Sequence, residues 1–100
     1  MAVTSSISPD GKSLTINVEG RFDFSAHQAF RDAHRAAPAE CEFIVDMEGT
    51  EYMDSSALGM LLMLREHAGG EASRIRIMNC RAEVRHILTI ANFQKLFRIE

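Results

Sequence analysis

Alternating apolar and polar positions mark the start of the chain as two strands joined by a tight turn. Residues 2–8 alternate weakly, and residues 13–19 alternate cleanly. Between them, residues 9–11 read Pro-Asp-Gly, which is a turn signal because proline presets φ and glycine accepts a positive φ. The pattern predicts an antiparallel hairpin whose second strand is broken at Gly20.

A helical spacing follows the hairpin. Apolar residues recur at i, i+3, i+4 and i+7 from Ala26 to Ala33, which predicts a helix with one apolar face. Ser25, with Gln28 three residues later, fits a capping box at its start, and Pro38 lies just beyond its end. The polar faces of this helix are expected to carry His27, Arg31, Asp32, His34 and Arg35.

The second half of the chain alternates strands with helices. Residues 43–45 form a short continuous apolar run, typical of a strand covered on both faces. A helix is predicted from about Ser55 to Ala68, with Gly69 and Gly70 at its carboxyl end. The remaining predicted elements are a strand around Ile75 and Ile77, a helix through Val84, Ile87, Leu88 and Ala91 that Asn92 closes, and a last strand at 96–99.

The predicted order is therefore β-β-α-β-α-β-α-β. A hairpin followed by alternating strands and helices implies a mixed sheet whose parallel strands are joined by right-handed crossovers. One hundred residues suit a single domain over residues 1–100. The fold class is α/β.

The helix after Asp54 is apolar on almost every side, although a helix on one side of a sheet needs only one apolar stripe. Leu58, Leu61 and Leu62 share one face and are expected in the core, whereas Met60, Met63 and Leu64 lie off that face. Either neighbouring helices cover both flanks, or part of the methionine-bearing face is exposed as a partner-binding patch.

Three capping candidates precede this helix. Asp54, Ser55 and Ser56 could each accept a hydrogen bond from an amide of the first turn. The loop also lies where functional groups collect in α/β sheets, beyond the carboxyl end of a strand. A phosphoryl group on a serine there would add roughly −1.5 to −2 charge beside Asp54.

Composition and charge exclude several functions. The net charge is −3 with scattered Lys and Arg residues, which argues against a nucleic-acid partner. No signal peptide and no membrane-length apolar segment is recognisable, so we expect a cytoplasmic protein without membrane insertion. Cys41 and Cys80 are expected to be reduced thiols that pack as small hydrophobic side chains.

No catalytic or metal-binding pattern is present in the sequence. Met-Asp-Ser-Ser-Ala is not a nucleophile elbow, and neither H-E-x-x-H nor Cys-x-x-Cys occurs. The four histidines are expected at the solvated surface. We therefore expect no enzyme activity, no cofactor and no metal.

The segment FIVDMEGTEYMDSSALGMLLMLREHAGG closely resembles the central motif of STAS domains, specifically those of bacterial anti-sigma-factor antagonists. GRFDFSAH is similar to the family's segment after the second strand, and NCRAEVRHILTIANFQKLFRI to its closing helix, turn and strand. The resemblance covers nearly the whole chain and implies a single STAS-like domain.

The resemblance also implies a mechanism. The unphosphorylated antagonist sequesters an anti-sigma factor, often itself a serine kinase, and so frees a sigma factor; phosphorylation abolishes binding and a serine phosphatase restores it. By position in the motif, the phosphorylated residue would be Ser55. The residues that the resemblance and the helix pattern nominate for partner binding are Asp23, Met53, Asp54, Ser56, Ala57, Leu58, Gly59, Met60 and Met63.

The sequence departs from the family pattern at two points, and two alternative functions within the family stay open. Ala57 stands where the family usually has glycine, and the sequence ends at Glu100 without the additional carboxyl-terminal helix of many members. The alternatives are a small STAS subunit of a membrane transporter complex and a nucleotide-binding STAS module. Oligomeric state, the sigma factor and the input signal are not indicated by the sequence.

Overall fold

The computed structural model of the protein describes residues 3–100, so Ala2, which belongs to the first predicted strand, lies outside the described residues. The strands are β1 (Val3–Ile7), β2 (Ser13–Val18), β3 (Gly20–Phe22), β4 (Glu42–Asp46), β5 (Thr50–Met53), β6 (Ile75–Met78) and β7 (Arg98–Ile99). The α-helices are α1 (His27–Arg35), α2 (Ser55–His67) and α3 (Ala82–Ile90).

The main sheet has the strand order β1-β2-β4-β6-β7. β1 and β2 form the predicted antiparallel hairpin, with Val3 opposite Val18, and Gly11 in its turn has a φ of 73°. The pairs β2–β4, β4–β6 and β6–β7 are parallel. The predicted α/β fold with a mixed sheet is confirmed.

The helices cover one face of this sheet. Leu14, Ile16, Phe43 and Val45 point to that face and are buried together with side chains from all three named helices. The other face is only half-buried along β2, β4 and β6. The prediction that residues 43–45 are covered on both sides is therefore wrong, because Ile44 lies on the half-buried face.

A second, two-stranded sheet was not predicted. β3 and β5 pair in parallel, with Phe22 opposite Met53. Gly20, with a φ of 77°, redirects the chain between β2 and β3. The buried Thr50 hydroxyl donates a 2.7 Å hydrogen bond to the carbonyl of Val18, which ties this small sheet to the end of β2.

The helix ends largely follow the sequence signals. Gly69 has a φ of 108° after α2, and Asn92 has a φ of 62° after α3. The last strand is shorter than predicted, since only residues 98–99 pair with β6. The preceding Phe93–Lys95 forms a 3₁₀ turn, and Phe97 is buried in the core rather than aligned in the sheet. Cys41 is buried, Cys80 is half-buried, and both are free thiols.

Candidate functional site

The candidate site lies where β3 and β5 end. The two strands are parallel neighbours, so their carboxyl ends share one edge. Phe22 and Met53 are the last paired residues, and both side chains are buried. Asp23 and Asp54 come next in each strand, and the chain then turns into a helix in both cases.

Asp54 is the residue that caps α2. Its backbone is extended, with φ −127° and ψ −172°, and its Oδ1 atom accepts hydrogen bonds from the amides of Ser56 at 3.0 Å and Ala57 at 3.4 Å. The Ser56 hydroxyl donates to the same oxygen at 2.6 Å. These bonds satisfy amide groups that a helix start otherwise leaves unpaired.

The two serines therefore have different surroundings. Ser56 is half-buried and its hydroxyl is held by Asp54. Ser55 is the first residue of α2, its side chain is exposed, and its hydroxyl has no hydrogen-bond partner within residues 3–100. Of the pair, Ser55 is the hydroxyl that an approaching protein could reach.

Asp23 forms a second cap with the same geometry. Its φ of −134° and ψ of −168° are close to those of Asp54, and its Oδ1 accepts a 3.0 Å bond from the amide of Ser25. Hydrogen bonds from the Ser25 hydroxyl and from Arg21 lower the pKa of the Asp23 carboxyl, which keeps it ionised. The predicted Ser25–Gln28 capping box is wrong, because the Gln28 side chain bonds to Arg31 and Asp32 instead.

The two caps repeat a four-residue pattern, Asp-x-Ser-Ala, at residues 23–26 and 54–57. In both copies the serine bonds to the aspartate and the alanine is buried. The variable position is Phe24 in the first copy and Ser55 in the second. Phe24 is 70% exposed, and its ring stacks on His27 with centroids 5.2 Å apart. Phe24 was not among the residues predicted from the sequence, although it occupies the same position of the repeated pattern as Ser55.

Arg21 and Tyr52 flank the same edge and were also missed. They lie opposite each other on β3 and β5, and the Arg21 guanidinium carbon is 4.0 Å from the centre of the Tyr52 ring. The Nε atom of Arg21 is 3.1 Å from Asp23. Because the Arg21 side chain is 65% exposed, water screens this ion pair and it adds little stability; its effect is to orient Arg21 next to the cap.

The core face of α2 differs from the predicted one. Met60 is 3% exposed and Leu64 is fully buried, whereas Leu62 is 40% exposed and Leu58 is half-buried. The buried positions follow a regular helical spacing: Ala57, Met60, Leu61, Leu64 and Ala68. The expectation that Leu62 is core and that Met60 and Leu64 lie off the core face is therefore wrong.

The burial divides the predicted partner-binding residues into three groups. Ser55, Gly59 and Met63 are exposed, and a Cβ atom at Gly59 would meet no atom within 4 Å. The half-buried residues are Asp23, Asp54, Ser56 and Leu58. The side chains of Met53, Ala57 and Met60 belong to the core, so direct partner contact by these three is not supported.

A histidine pair lies between α1 and α2, away from the caps. His34 is 3% exposed, its ring centre is 5.1 Å from that of His67, and its Nδ1 atom has no hydrogen-bond partner within the described residues. Burial, together with the nearby His67, Arg35 and Arg31, lowers the pKa of His34 to about 4. The prediction that every histidine is solvated is wrong for His34, because α2 covers it.

In residues 3–100, no three or more His, Cys, Asp or Glu side chains are grouped so that they could hold a metal ion. The helices there are also too short or too polar to cross a membrane.

Comparison with known proteins points to one family. The family model described as "Mlab, STAS domain" matches residues 5–98. A STAS-domain containing protein of Pseudomonas aeruginosa (strain UCBPP-PA14) is 56% identical over 100 residues, which cover 99% of each chain.

Solved structures of lower identity share the fold. The unphosphorylated anti-sigma factor antagonist SpoIIAA has a TM-score of 0.74 and 20% identity, over 99% of this chain and 87% of that one. An anti-sigma factor antagonist of Mycobacterium paratuberculosis has a TM-score of 0.78 and 18% identity, over 97% and 84% of the two chains. At these identities the likeness shows the fold alone.

Proposed function

The chain belongs to the STAS-domain family, and we propose that it is an anti-sigma-factor antagonist switched by phosphorylation of Ser55. The observation that carries the proposal is the separation of the two serines by the Asp54 cap. The Ser56 hydroxyl donates a hydrogen bond to Asp54, whereas the Ser55 side chain is exposed at the edge of the small sheet.

The chemistry of the switch is electrostatic and local. The amides of Ser56 and Ala57 already donate to Asp54, so a phosphoryl group on Ser55 leaves the cap in place. The group would add roughly −1.5 to −2 charge beside Asp54 and Asp23. The fold would therefore persist while the surface presented to a partner changes in charge and shape.

In the proposed cycle, the unphosphorylated protein binds an anti-sigma factor or a serine kinase of that type, which releases a sigma factor. The kinase phosphorylates Ser55, binding is lost, and a serine phosphatase restores it. The residues of the proposed contact surface are Asp23, Asp54, Ser55, Ser56, Leu58, Gly59 and Met63, and they remain exposed or half-buried in the free protein. The proposed compartment is the cytoplasm, where sigma factors act.

The test is phosphorylation by the serine kinases of this type that the host encodes. Each kinase is incubated with ATP and the wild-type, Ser55→Ala or Ser56→Ala protein, and intact mass is measured. We expect a gain of one phosphoryl group in wild type and Ser56→Ala, and none in Ser55→Ala. Absence of the gain with every such kinase, or its loss only in Ser56→Ala, would contradict the proposal.

The two alternatives make different demands on the site. A STAS subunit of a transporter complex needs the Asp54 cap but no reactive hydroxyl at Ser55, so the same mass measurement separates it from the switch. A nucleotide phosphate would normally bind at a free helix start. Here carboxylates occupy both positions, since Asp23 and Asp54 accept the first-turn amides, and nucleotide binding is correspondingly disfavoured.

A further inference from the structure

Phe24 and Ile90 are the two most exposed large hydrophobic side chains in the described residues, at 70% and 68%. Single exposed hydrophobic residues are common on protein surfaces, so exposure alone does not indicate a function. Ile90 is the last residue of α3, and that helix has an ordinary carboxyl end. Phe24 differs because its position is defined by the neighbouring cap.

The register of the small sheet places Phe24 beside Ser55. Phe22 pairs with Met53, and the chain then takes matching extended conformations at Asp23 and Asp54. Two parallel strands lie about 4.8 Å apart, so Asp23 and Asp54, one position past the last pair, share this edge. Phe24 and Ser55 each follow one position later. The aromatic ring and the proposed phosphorylation site therefore belong to one continuous surface.

The ring of Phe24 is also oriented before any partner binds. It stacks on the imidazole of His27 at an interplanar angle of 20°. The backbone beneath it is fixed by the bonds from Ser25 to Asp23. A side chain held in this way loses less conformational entropy on binding than a free one.

We propose that Phe24 is the aromatic anchor of the contact made at Ser55, inserting into an apolar pocket on a protein partner. The inference rests on the proposed function, because the partner is the anti-sigma factor or serine kinase that acts on Ser55. Phe24 contributes affinity, and Ser55 carries the switch.

The surroundings of Phe24 favour a protein pocket over a membrane surface. Asp23 and Asp54 lie on the same edge, Arg21 there is paired with Asp23, and the net charge of the chain is −3. Anionic lipid headgroups would repel such a surface, since membrane attraction depends on Lys and Arg residues. A protein pocket can enclose one ring and leave the flanking carboxylates in water.

The test compares Phe24→Ala with Ile90→Ala, which removes an equally exposed side chain from α3. The probe is the purified kinase or anti-sigma factor that phosphorylates Ser55 in the mass experiment. By calorimetry we expect Phe24→Ala to weaken binding about thirty-fold or more, as truncation of an aromatic anchor does, and Ile90→Ala to change it less than about two-fold. In kinase assays Phe24→Ala should raise KM and leave kcat unchanged, because the ring does not touch the reacting hydroxyl.

Both variants should have the melting temperature of the wild type. A loss of affinity then cannot be attributed to unfolding of the variant. If Phe24→Ala binds the partner with the same affinity as the wild type, the proposal that Phe24 anchors the contact is contradicted. If, in addition, Ser55→Glu does not bind the partner, the proposed switch at Ser55 stands and only the role of Phe24 is contradicted. If no encoded kinase or anti-sigma factor binds the wild-type protein, the proposed function fails first, and the anchor fails with it.

Discussion

Ser55 and Ser56 are adjacent, but only the Ser55 side chain is exposed, whereas the Ser56 hydroxyl is bonded to Asp54. Sequence patterns left Asp54, Ser55 and Ser56 as equal capping candidates. The choice depends on the geometry of Asp54, whose extended backbone aims Oδ1 at the amides of residues 56 and 57. The repeated Asp-x-Ser-Ala pattern could have identified both caps from the sequence, because it places the same residues at two predicted helix starts.

Replacement of Ser55 by glutamate should weaken partner binding and leave the fold intact. The added carboxylate lies next to Asp54 and at the same edge of the small sheet as Asp23, so the expected loss of affinity is more than about ten-fold. Binding is measured by calorimetry and folding by circular dichroism. Ser55→Gln is the matched control, having the same size without the charge; equal affinities for Ser55→Glu and wild type would exclude charge as the switch.

At the scale of elements, the least predictable feature was which side of α2 faces the core. Residues 57–64 are all apolar except Gly59, so the sequence contains no polar stripe that would mark the solvent side. Packing against α1 and the sheet selects Met60 and Leu61 for the core and leaves Leu62 and Met63 exposed. By contrast, α1 carries polar residues between its alanines, and its buried face through Phe30 and Ala33 was predicted correctly.

Glutamate at two methionines of α2 separates the core side from the outer side. Met60→Glu places a carboxylate in the core and should lower the melting temperature by more than about 10 °C, if the protein folds. Met63 is 41% exposed, so Met63→Glu should change stability by less than about 0.5 kcal/mol.

The measurements are thermal melts by circular dichroism and calorimetric binding to the partner. Since Met63 belongs to the proposed contact surface, Met63→Glu should retain the wild-type midpoint and lose affinity. Each substitution serves as the control for the other, because both introduce the same charge into the same helix. If Met60→Glu has the same melting temperature as the wild type, the assignment of Met60 to the core face of α2 is contradicted.

At the scale of the whole molecule, the main sheet could be predicted from the sequence and the small sheet could not. The alternation in residues 13–19 and the apolar run at 43–45 are long enough to specify strands of the main sheet. β3 and β5 are short, and their residues pair about thirty positions apart in the chain. Local periodicity contains no information about such a pairing, which is why the edge that holds Asp23, Phe24 and Ser55 together emerged only in three dimensions.

His34 shows the same dependence on tertiary structure, and its burial has a consequence for stability. Its pKa is lowered from 6.5 to about 4 in the folded protein, first by burial and then by His67, Arg35 and Arg31. Between these values the unfolded chain binds more protons than the folded one. The contribution of His34 is therefore fully present above pH 6.5 and is lost as the pH falls towards 4.

Urea unfolding at pH 7.5 and at pH 4.5 measures this effect. The wild-type protein should lose on the order of 2 kcal/mol through His34 between the two values. His34→Leu should show a smaller loss than wild type, because it removes the titrating group, whereas His86→Gln on the exposed side of α3 should retain the wild-type loss. Equal losses in wild type and His34→Leu would show that the buried imidazole does not control the acid sensitivity of the α1–α2 contact.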